Sequence, residues 1–140
     1  MIVFLLTILF SFAFSEGLCI REVYNPYSEV YLSYVFRKNV ERLVLESGYK
    51  IDCGEGSKEI KPEVELFKEH PIAYTPQQRV SAYNLELRVS LSMDGKKKSF
   101  SVFVPYTQQG GMVGDLPKRK AIEEAFRIIY IDMLEFIKMR

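Results

Sequence analysis

Hydrophobic and polar residues alternate with a period of two from Tyr83 to Met93, and the pair Asp94-Gly95 follows directly. This alternation predicts a strand with one apolar face. The Asp-Gly pair supplies the two positive-φ positions of a tight hairpin turn. The cross-strand pairs predicted by folding about that turn are Met93 with Lys96, Val89 with Phe100, Leu87 with Val102, Leu85 with Val104 and Tyr83 with Tyr106. One face of the hairpin is therefore expected to be covered, and the other to be wet or reserved for a partner.

A helix that can cover this face is predicted between Asn25 and Gly48. Asn25-Pro26 or Ser28 is its expected start, and Gly48 is its expected end. The apolar positions at helical spacing are Leu32, Val35, Phe36, Val40, Leu43 and Val44. Because these positions form one stripe, the helix is expected to bury that side against the sheet.

A second apolar stripe predicts a C-terminal helix from about Leu116 to Met139, with Asp115 as its candidate cap. Its main positions are Ile122, Ala125, Phe126, Ile129, Met133, Phe136 and Ile137. Further strands are expected at residues 18–24 and 59–68, with Pro62 at an edge or strand start. The order strand, helix, three strands, helix predicts an α/β, two-layer sandwich in which two helices pack on one face of a roughly four-stranded mixed sheet.

The first fifteen residues contain no charged side chain and end in Ala13-Phe14-Ser15. Their apolar run is too short to span a bilayer as a helix, and small residues occupy the two positions that a signal peptidase reads. We therefore expect a signal peptide over residues 1–15 and a single periplasmic α/β domain over residues 16–140. A buried helix of the mature domain is the alternative reading of the first segment.

Cys19 and Cys53 both remain after cleavage, and an even number of cysteines in an exported chain favours a disulfide between them. Two separate thiols are the first alternative. Lipidation of Cys19 is the second, although Glu16-Gly17-Leu18 lacks the aliphatic and small residues that normally precede a lipidated cysteine. The disulfide and the lipid anchor exclude each other at Cys19.

Charge and motifs point away from an enzyme. The formal net charge is +1, so a general attraction to nucleic acid is not indicated, but residues 79–140 are more basic than residues 16–78. His70, the only histidine, is expected in a solvent-facing loop marked by Pro71, which disfavours a nucleophilic triad or a histidine-rich metal site. We therefore expect no catalytic residue, no metal and no cofactor. The glycine-rich segment 110–115 is interpreted as a strand-to-helix connection, and the alternative is a phosphate site formed by its free amides and Lys118 to Lys120.

The chain resembles the LPS-assembly lipoproteins, the LptE family, over roughly Ile20 to the C-terminus. The segments that carry the resemblance are Tyr24-Asn25-Pro26, Pro71-Ile72-Ala73-Tyr74, Arg79 to Leu85, the turn Met93-Asp94-Gly95 and a closing amphipathic helix that begins near Lys118. The resemblance implies a plug subunit of the outer-membrane lipopolysaccharide translocon. Such a subunit binds an outer-membrane β-barrel LPS-assembly protein at the periplasmic face of the membrane, assists its assembly and contacts lipopolysaccharide through basic residues.

Charge and placement select the expected lipopolysaccharide contacts. They are Lys96, Lys97 and Lys98 at the hairpin tip, Arg79, and Lys118, Arg119 and Lys120 at the start of the last helix. Ammonium and guanidinium groups can bind the lipid phosphates by charge-assisted hydrogen bonds. The missing lipidation signal is the main departure from the family. A generic periplasmic adaptor or small-ligand carrier is the alternative function.

Overall fold

A computed structural model describes residues 16–108 and 116–139 of the chain. Its elements are β1 (Gly17–Ile20), α1 (Val30–Glu46), β2 (Lys50–Ile51), β3 (Lys58–Tyr74), β4 (Val80–Met93), β5 (Lys96–Thr107) and α2 (Leu116–Lys138). The strands form one mixed sheet in the order β2-β1-β3-β4-β5, with β1 parallel to both of its neighbours. The predicted two-layer α/β fold is confirmed, with β2 as a fifth strand. The predicted signal peptide, the Asp115 cap and segment 110–115 lie outside the described residues.

The β4–β5 hairpin has the predicted register, from Met93 opposite Lys96 to Tyr83 opposite Tyr106. Asp94 and Gly95 have φ values of 53° and 74°, as a two-residue turn of this type requires. The turn and the apolar alternation specify the same pairing, so local sequence alone determines this part of the sheet.

Helix α1 ends as predicted but begins later than expected. Glu29, and not Asn25 or Ser28, occupies the N-cap, and it forms no side-chain cap. Asn25 instead accepts a hydrogen bond from the Tyr27 N–H at 2.9 Å and donates one to the Glu29 carbonyl at 3.0 Å, which turns the chain just ahead of the helix. At the other end Gly48 has a φ of 89°, and the N–H groups of Gly48 and Tyr49 close the last turn.

Both helices lie on one face of the sheet, and their apolar stripes form the core. Phe36 of α1 and Phe126 of α2 meet there with their ring centroids 5.1 Å apart. The larger side chains that are fully excluded from solvent are Phe36, Phe126, Leu18, Leu32, Leu43, Ile60, Leu85, Leu87, Leu91, Ile122, Met133 and Ile137. Nearly all of them belong to the predicted stripes and alternations, so the hydrophobic pattern of the sequence correctly predicts most of the core.

Strand β3 is longer than expected, which corrects two predictions. Pro62 lies inside β3 opposite Leu91, and its carbonyl accepts the Tyr24 N–H at 3.0 Å on the side away from β4. Its nitrogen faces that same side, so no ladder bond to β4 is lost. His70 is in β3 and not in a loop. No described strand pairs with the outer side of this segment, so the missing N–H of Pro71 removes no hydrogen bond between strands.

Candidate functional site

The tip of the β4–β5 hairpin places charged and apolar groups side by side. Lys96 and Lys98 lie on the helix side of the sheet, and with Met93, Phe136 and Met139 they line a recess of about 210 Å³. The recess forms because α2 ends at Lys138, at the height of the tip, where Met93 is still buried but Lys96 and Lys98 are exposed. We refer to these five residues as the tip recess.

Alternation along β5 places Lys97 on the opposite face, where its ammonium lies 3.6 Å from the Glu63 carboxylate. Lys98 remains on the recess side, with Nζ 5.6 Å from the centroid of the Phe100 ring. Lys58 supports the turn by pairing with Glu16 at 3.1 Å and with Asp94 at 3.7 Å. The hydrogen bond to Glu16 raises the pKa of Lys58, so this lysine stays charged.

Two ammonium groups above an apolar floor suit an anionic amphiphile. The ammonium groups can donate hydrogen bonds to phosphate oxygens, while Phe136 and Met139 can contact hydrocarbon. A volume of about 210 Å³ admits a short apolar segment and not a whole acyl chain. The tip recess can therefore recognise the boundary between a charged headgroup and a chain.

The other predicted basic residues are not brought to this tip. Lys118 to Lys120 begin α2, whereas the tip recess lies at its end, roughly 30 Å away at 1.5 Å per residue. Arg79 lies in the turn between β3 and β4, where its N–H bonds to the Thr75 hydroxyl at 3.2 Å. The seven predicted contacts therefore form separate groups and not one patch.

Lys118 is held between two carboxylates. Its Nζ is 3.2 Å from Glu29 and 3.4 Å from Glu69, and Tyr106 donates a hydrogen bond to the same Glu69. Burial by itself would lower the pKa of Lys118, but the Glu69 and Glu29 carboxylates outweigh it and the pKa is raised. Arg119 stacks over the Tyr31 ring at 5.0 Å. Of the three basic residues at the start of α2, Lys118 and Arg119 therefore already have partners within the protein.

The structure contains the predicted bond between Cys19 and Cys53, with their Cα atoms 4.4 Å apart. Cys19 lies in β1, and Cys53 follows β2 by two residues. Because β1 and β2 are adjacent parallel strands, the bridge fastens the short β2 to the sheet. Cys19 is buried and, while bonded to Cys53, carries no free thiol.

The open face of the sheet carries polar pairs. His70 Nε2 lies 2.8 Å from a Glu86 carboxylate oxygen, and Ser99 donates a hydrogen bond of 2.5 Å to Glu65. Over residues 16–108 and 116–139, no group of three or more histidine, cysteine, aspartate or glutamate side chains is arranged to hold a metal ion. In that same part of the chain, neither helix has the length and apolarity needed to cross a bilayer.

Sequence reasoning did not identify a second concave surface, between the outer sides of α1 and α2. Arg42 stacks over the Tyr130 ring at 4.3 Å, and Tyr130 donates a hydrogen bond of 2.6 Å to Glu46. Burial, followed by that hydrogen bond, raises the pKa of Tyr130 to about 12. The Arg42/Glu46 spacing of four residues was a usable signal, but only the tertiary structure shows which tyrosine meets it.

Comparison with known sequences establishes a family. No family model matches the chain. A protein of Aquifex aeolicus (strain VF5), described as an uncharacterized protein, is 35% identical over 133 residues, covering 95% of this chain and 92% of that protein. The chain belongs to the family of this Aquifex protein.

Solved structures with the same fold include a bacterial lipoprotein. A minor lipoprotein from Acinetobacter baumannii superposes with a TM-score of 0.51 at 10% identity, covering 87% of this chain and 92% of that one. A protein of the DUF330 family from Xanthomonas campestris gives a TM-score of 0.54 at 11% identity, covering 90% and 85%. At these identities the likeness establishes the fold alone.

Proposed function

We propose that this protein is a non-enzymatic subunit of the outer-membrane lipopolysaccharide transport and assembly machinery. It is exported, acts at the periplasmic face of the outer membrane, and binds a β-barrel partner and lipopolysaccharide. The resemblance to the LptE family supports this role, and the fold, which a bacterial lipoprotein shares, agrees with it.

The tip recess is the observation that carries the lipid-binding part of the proposal. Lys96 and Lys98 provide two cations beside the apolar Phe136 and Met139, which matches the junction of phosphate and hydrocarbon in lipopolysaccharide. Lys97, on the other face, has its own carboxylate partner in Glu63. Lys96 and Lys98 are therefore expected to contribute more to binding than Lys97.

Replacement of the three lysines by glutamine tests this role directly. Lipopolysaccharide binding by the purified protein should weaken severalfold at low salt, and wild-type binding should fall as salt screens the charges. The triple variant Lys38→Gln, Lys50→Gln, Lys68→Gln loses the same charge elsewhere and should bind as wild type does. If the tip variant and the wild-type protein bind lipopolysaccharide equally, the three lysines contribute only to solubility.

The partner requires a separate measurement. Envelopes solubilised in mild detergent should release this protein together with a large outer-membrane β-barrel. A soluble monomer that carries a small molecule would instead favour the alternative, a periplasmic adaptor or carrier. The covered face that such a carrier would use is filled by the core side chains, among them Phe36 and Phe126.

A further inference from the structure

The outer edge of β5 is unpaired along its whole length, since β5 is the last strand of the described sheet. Met93 and Lys96 form the hydrogen-bonded pair that closes the two-residue turn, so the backbone groups of alternate residues along β5 point away from β4. No described residue forms a hydrogen bond with these outward backbone groups. They belong to Lys97, Ser99, Ser101, Phe103, Pro105 and Thr107.

Only the ends of this edge are protected against pairing. Lys96, Lys97 and Lys98 begin the strand, and Pro105 occupies one of the outward positions near its end. Lysine and proline are residues with which proteins commonly blunt an edge strand. The six residues between them, Ser99 to Val104, contain no charge, glycine or proline and are rich in valine and phenylalanine. This composition pairs readily with another strand.

The outer edge of β3 differs, because neighbouring side chains cover it. The Tyr27 ring packs on Phe67 with 6.1 Å between the ring centroids, and the Tyr27 hydroxyl donates a hydrogen bond of 3.4 Å to the Glu65 carbonyl. The charged or titratable residues Lys68 to His70 follow, and then Pro71. The middle of β5 is therefore the part of the described sheet that is most open to a further strand.

Apolar side chains flank the β5 edge on both faces of the sheet. On the open face, Phe103 is 55% exposed. On the helix side, Glu124 lines a recess of about 420 Å³ together with Val104 and Thr107. Ile128, one turn further along the same side of α2, is 47% exposed. A strand added to β5 would cover Phe103 with one set of alternate side chains and Ile128 with the other.

The geometry of the edge selects a single extended segment as the occupant. Outward N–H and C=O groups recur at every second residue, about 6.8 Å apart, and another backbone in the β conformation presents acceptors and donors with that repeat. A second copy of this chain would bring its own α2, since Phe136 packs on Phe100 with the centroids 6.3 Å apart and holds α2 above β5. The recesses at the two ends of this seam, of about 420 and 210 Å³, admit side chains and not a helix about 10 Å across.

We propose that β5 binds an uncharged, largely apolar extended segment of a partner protein as an additional strand of the sheet, over Ser99 to Val104. The inference rests on the proposed function only in that the protein has a protein partner. Lipopolysaccharide binding at the tip recess is not involved, because the bonds that hold the segment come from the backbone of β5.

Amide hydrogen exchange of the purified protein, resolved by residue with NMR, tests the proposal. In the free protein the outward N–H groups of Ser99, Ser101 and Phe103 should exchange quickly, whereas those of Phe100 and Val102, which bond to β4, should exchange slowly. The probe is a capped, uncharged peptide, acetyl-Ser-Val-Thr-Val-Thr-Val-Ser-amide. At saturation it should slow exchange of the three outward N–H groups at least tenfold and leave the other two unchanged.

Two controls isolate the backbone pairing. A peptide with the same side chains but with N-methyl groups on every valine and threonine cannot form the ladder, and it should give no protection. The variant Ser101→Pro removes one outward N–H without breaking a bond to β4, as Pro105 already does, and it should bind the peptide about fivefold more weakly. Ser101→Thr keeps that N–H and should bind as wild type does. If Ser101→Pro does not fold, the comparison of the two peptides decides alone.

Four results would overturn the inference. The first is no protection by the unmodified peptide, and the second is equal protection by the N-methylated one. Protection of Phe67 and Glu69 in place of the β5 residues would move the site to β3. Protection that rises with protein concentration alone would make the occupant a second copy. Lipopolysaccharide binding and co-purification with a β-barrel are measured separately, so either proposal can fail without the other.

Discussion

Lys118 has a structural role, although its position in a basic cluster of the sequence suggests a contact with a ligand. A bulge between Val64 and Leu66 shifts the phase of β3, so Glu69 pairs with the buried Leu85 and points to the helix side. There it meets Lys118 and Tyr106, while Glu29 approaches from the start of α1. The lysine therefore joins both helix beginnings to the sheet.

Replacing Lys118 by methionine should lower the free energy of unfolding by roughly 1 to 3 kcal/mol, because two part-buried carboxylates lose their counter-charge. Urea unfolding measures this change. Lys120→Met, an exposed neighbour, should stay within about 0.5 kcal/mol of wild type. Weaker lipopolysaccharide binding by Lys118→Met at unchanged stability would contradict the structural role and return Lys118 to the list of ligand contacts.

At the scale of elements, the pairing of α1 with α2 combines an apolar interior with a polar exterior. Phe36 and Phe126 meet inside, and outside the Tyr130 hydroxyl bonds to Glu46 beside Arg42. The hydrogen bond from Tyr130, followed by that from Arg42, lowers the pKa of Glu46. A carboxyl whose pKa is depressed by folding stabilises the protein above its unfolded pKa, about 4.3, and loses that contribution as the pH falls through the folded value.

The variant Tyr130→Phe should therefore lose stability relative to wild type near pH 6, and the gap should narrow as the pH falls below about 4.3. Chemical unfolding at several pH values measures the gap. In a Glu46→Gln background the same tyrosine substitution should give a difference that does not vary with pH over this range. If the stability difference in the wild-type background does not change with pH, the hydrogen bond from Tyr130 does not affect the titration of Glu46.

Elements that depend on neighbouring residues were predictable, and those that depend on distant ones were not. The register from Tyr83 to Tyr106 follows from one turn and one alternation. The strand at His70 does not, because β4 and not the local sequence keeps that segment extended around Pro71. Likewise, the bulge near Leu66 changes the face of the sheet on which Glu69 lies, and no glycine or proline in the sequence marks the position of the bulge. The basic residues were recognised as a class, but their counter-ions lie far away in the chain.

At the scale of the whole molecule, one face of the sheet is filled by helices and the other is open and polar. The disulfide lies at the β2 side of this sheet, where β1 and β2 are only four and two residues long. These strands have few ladder bonds of their own. The disulfide is therefore expected to stabilise this edge of the sheet more than it would stabilise the long β3–β4–β5 meander.

Reduction, or the double variant Cys19→Ser, Cys53→Ser, should cost about 3 to 4 kcal/mol of stability, the chain-entropy value for a loop of 34 residues. Thermal unfolding with and without reductant measures the loss, and the double variant should be insensitive to reductant. Intact-mass analysis of the exported protein gives an independent check, since an unacylated chain that begins at Glu16 and is two hydrogens lighter than its reduced form is expected. A diacylglyceryl group on Cys19 would contradict the bridge.

The position of β1 between β2 and β3 also sets an order of assembly. Under the export proposed above, the N-terminal end emerges first, yet Cys19 pairs with Glu59, which follows 40 residues later. Pairings this distant form slowly, whereas the β4–β5 hairpin closes between neighbours. Cys53 precedes β3 in the chain, so oxidation can tether β1 to β2 while β3, the central strand, is still being delivered. The bridge then acts as a folding clamp that holds β1 in place until β3 arrives to pair with it.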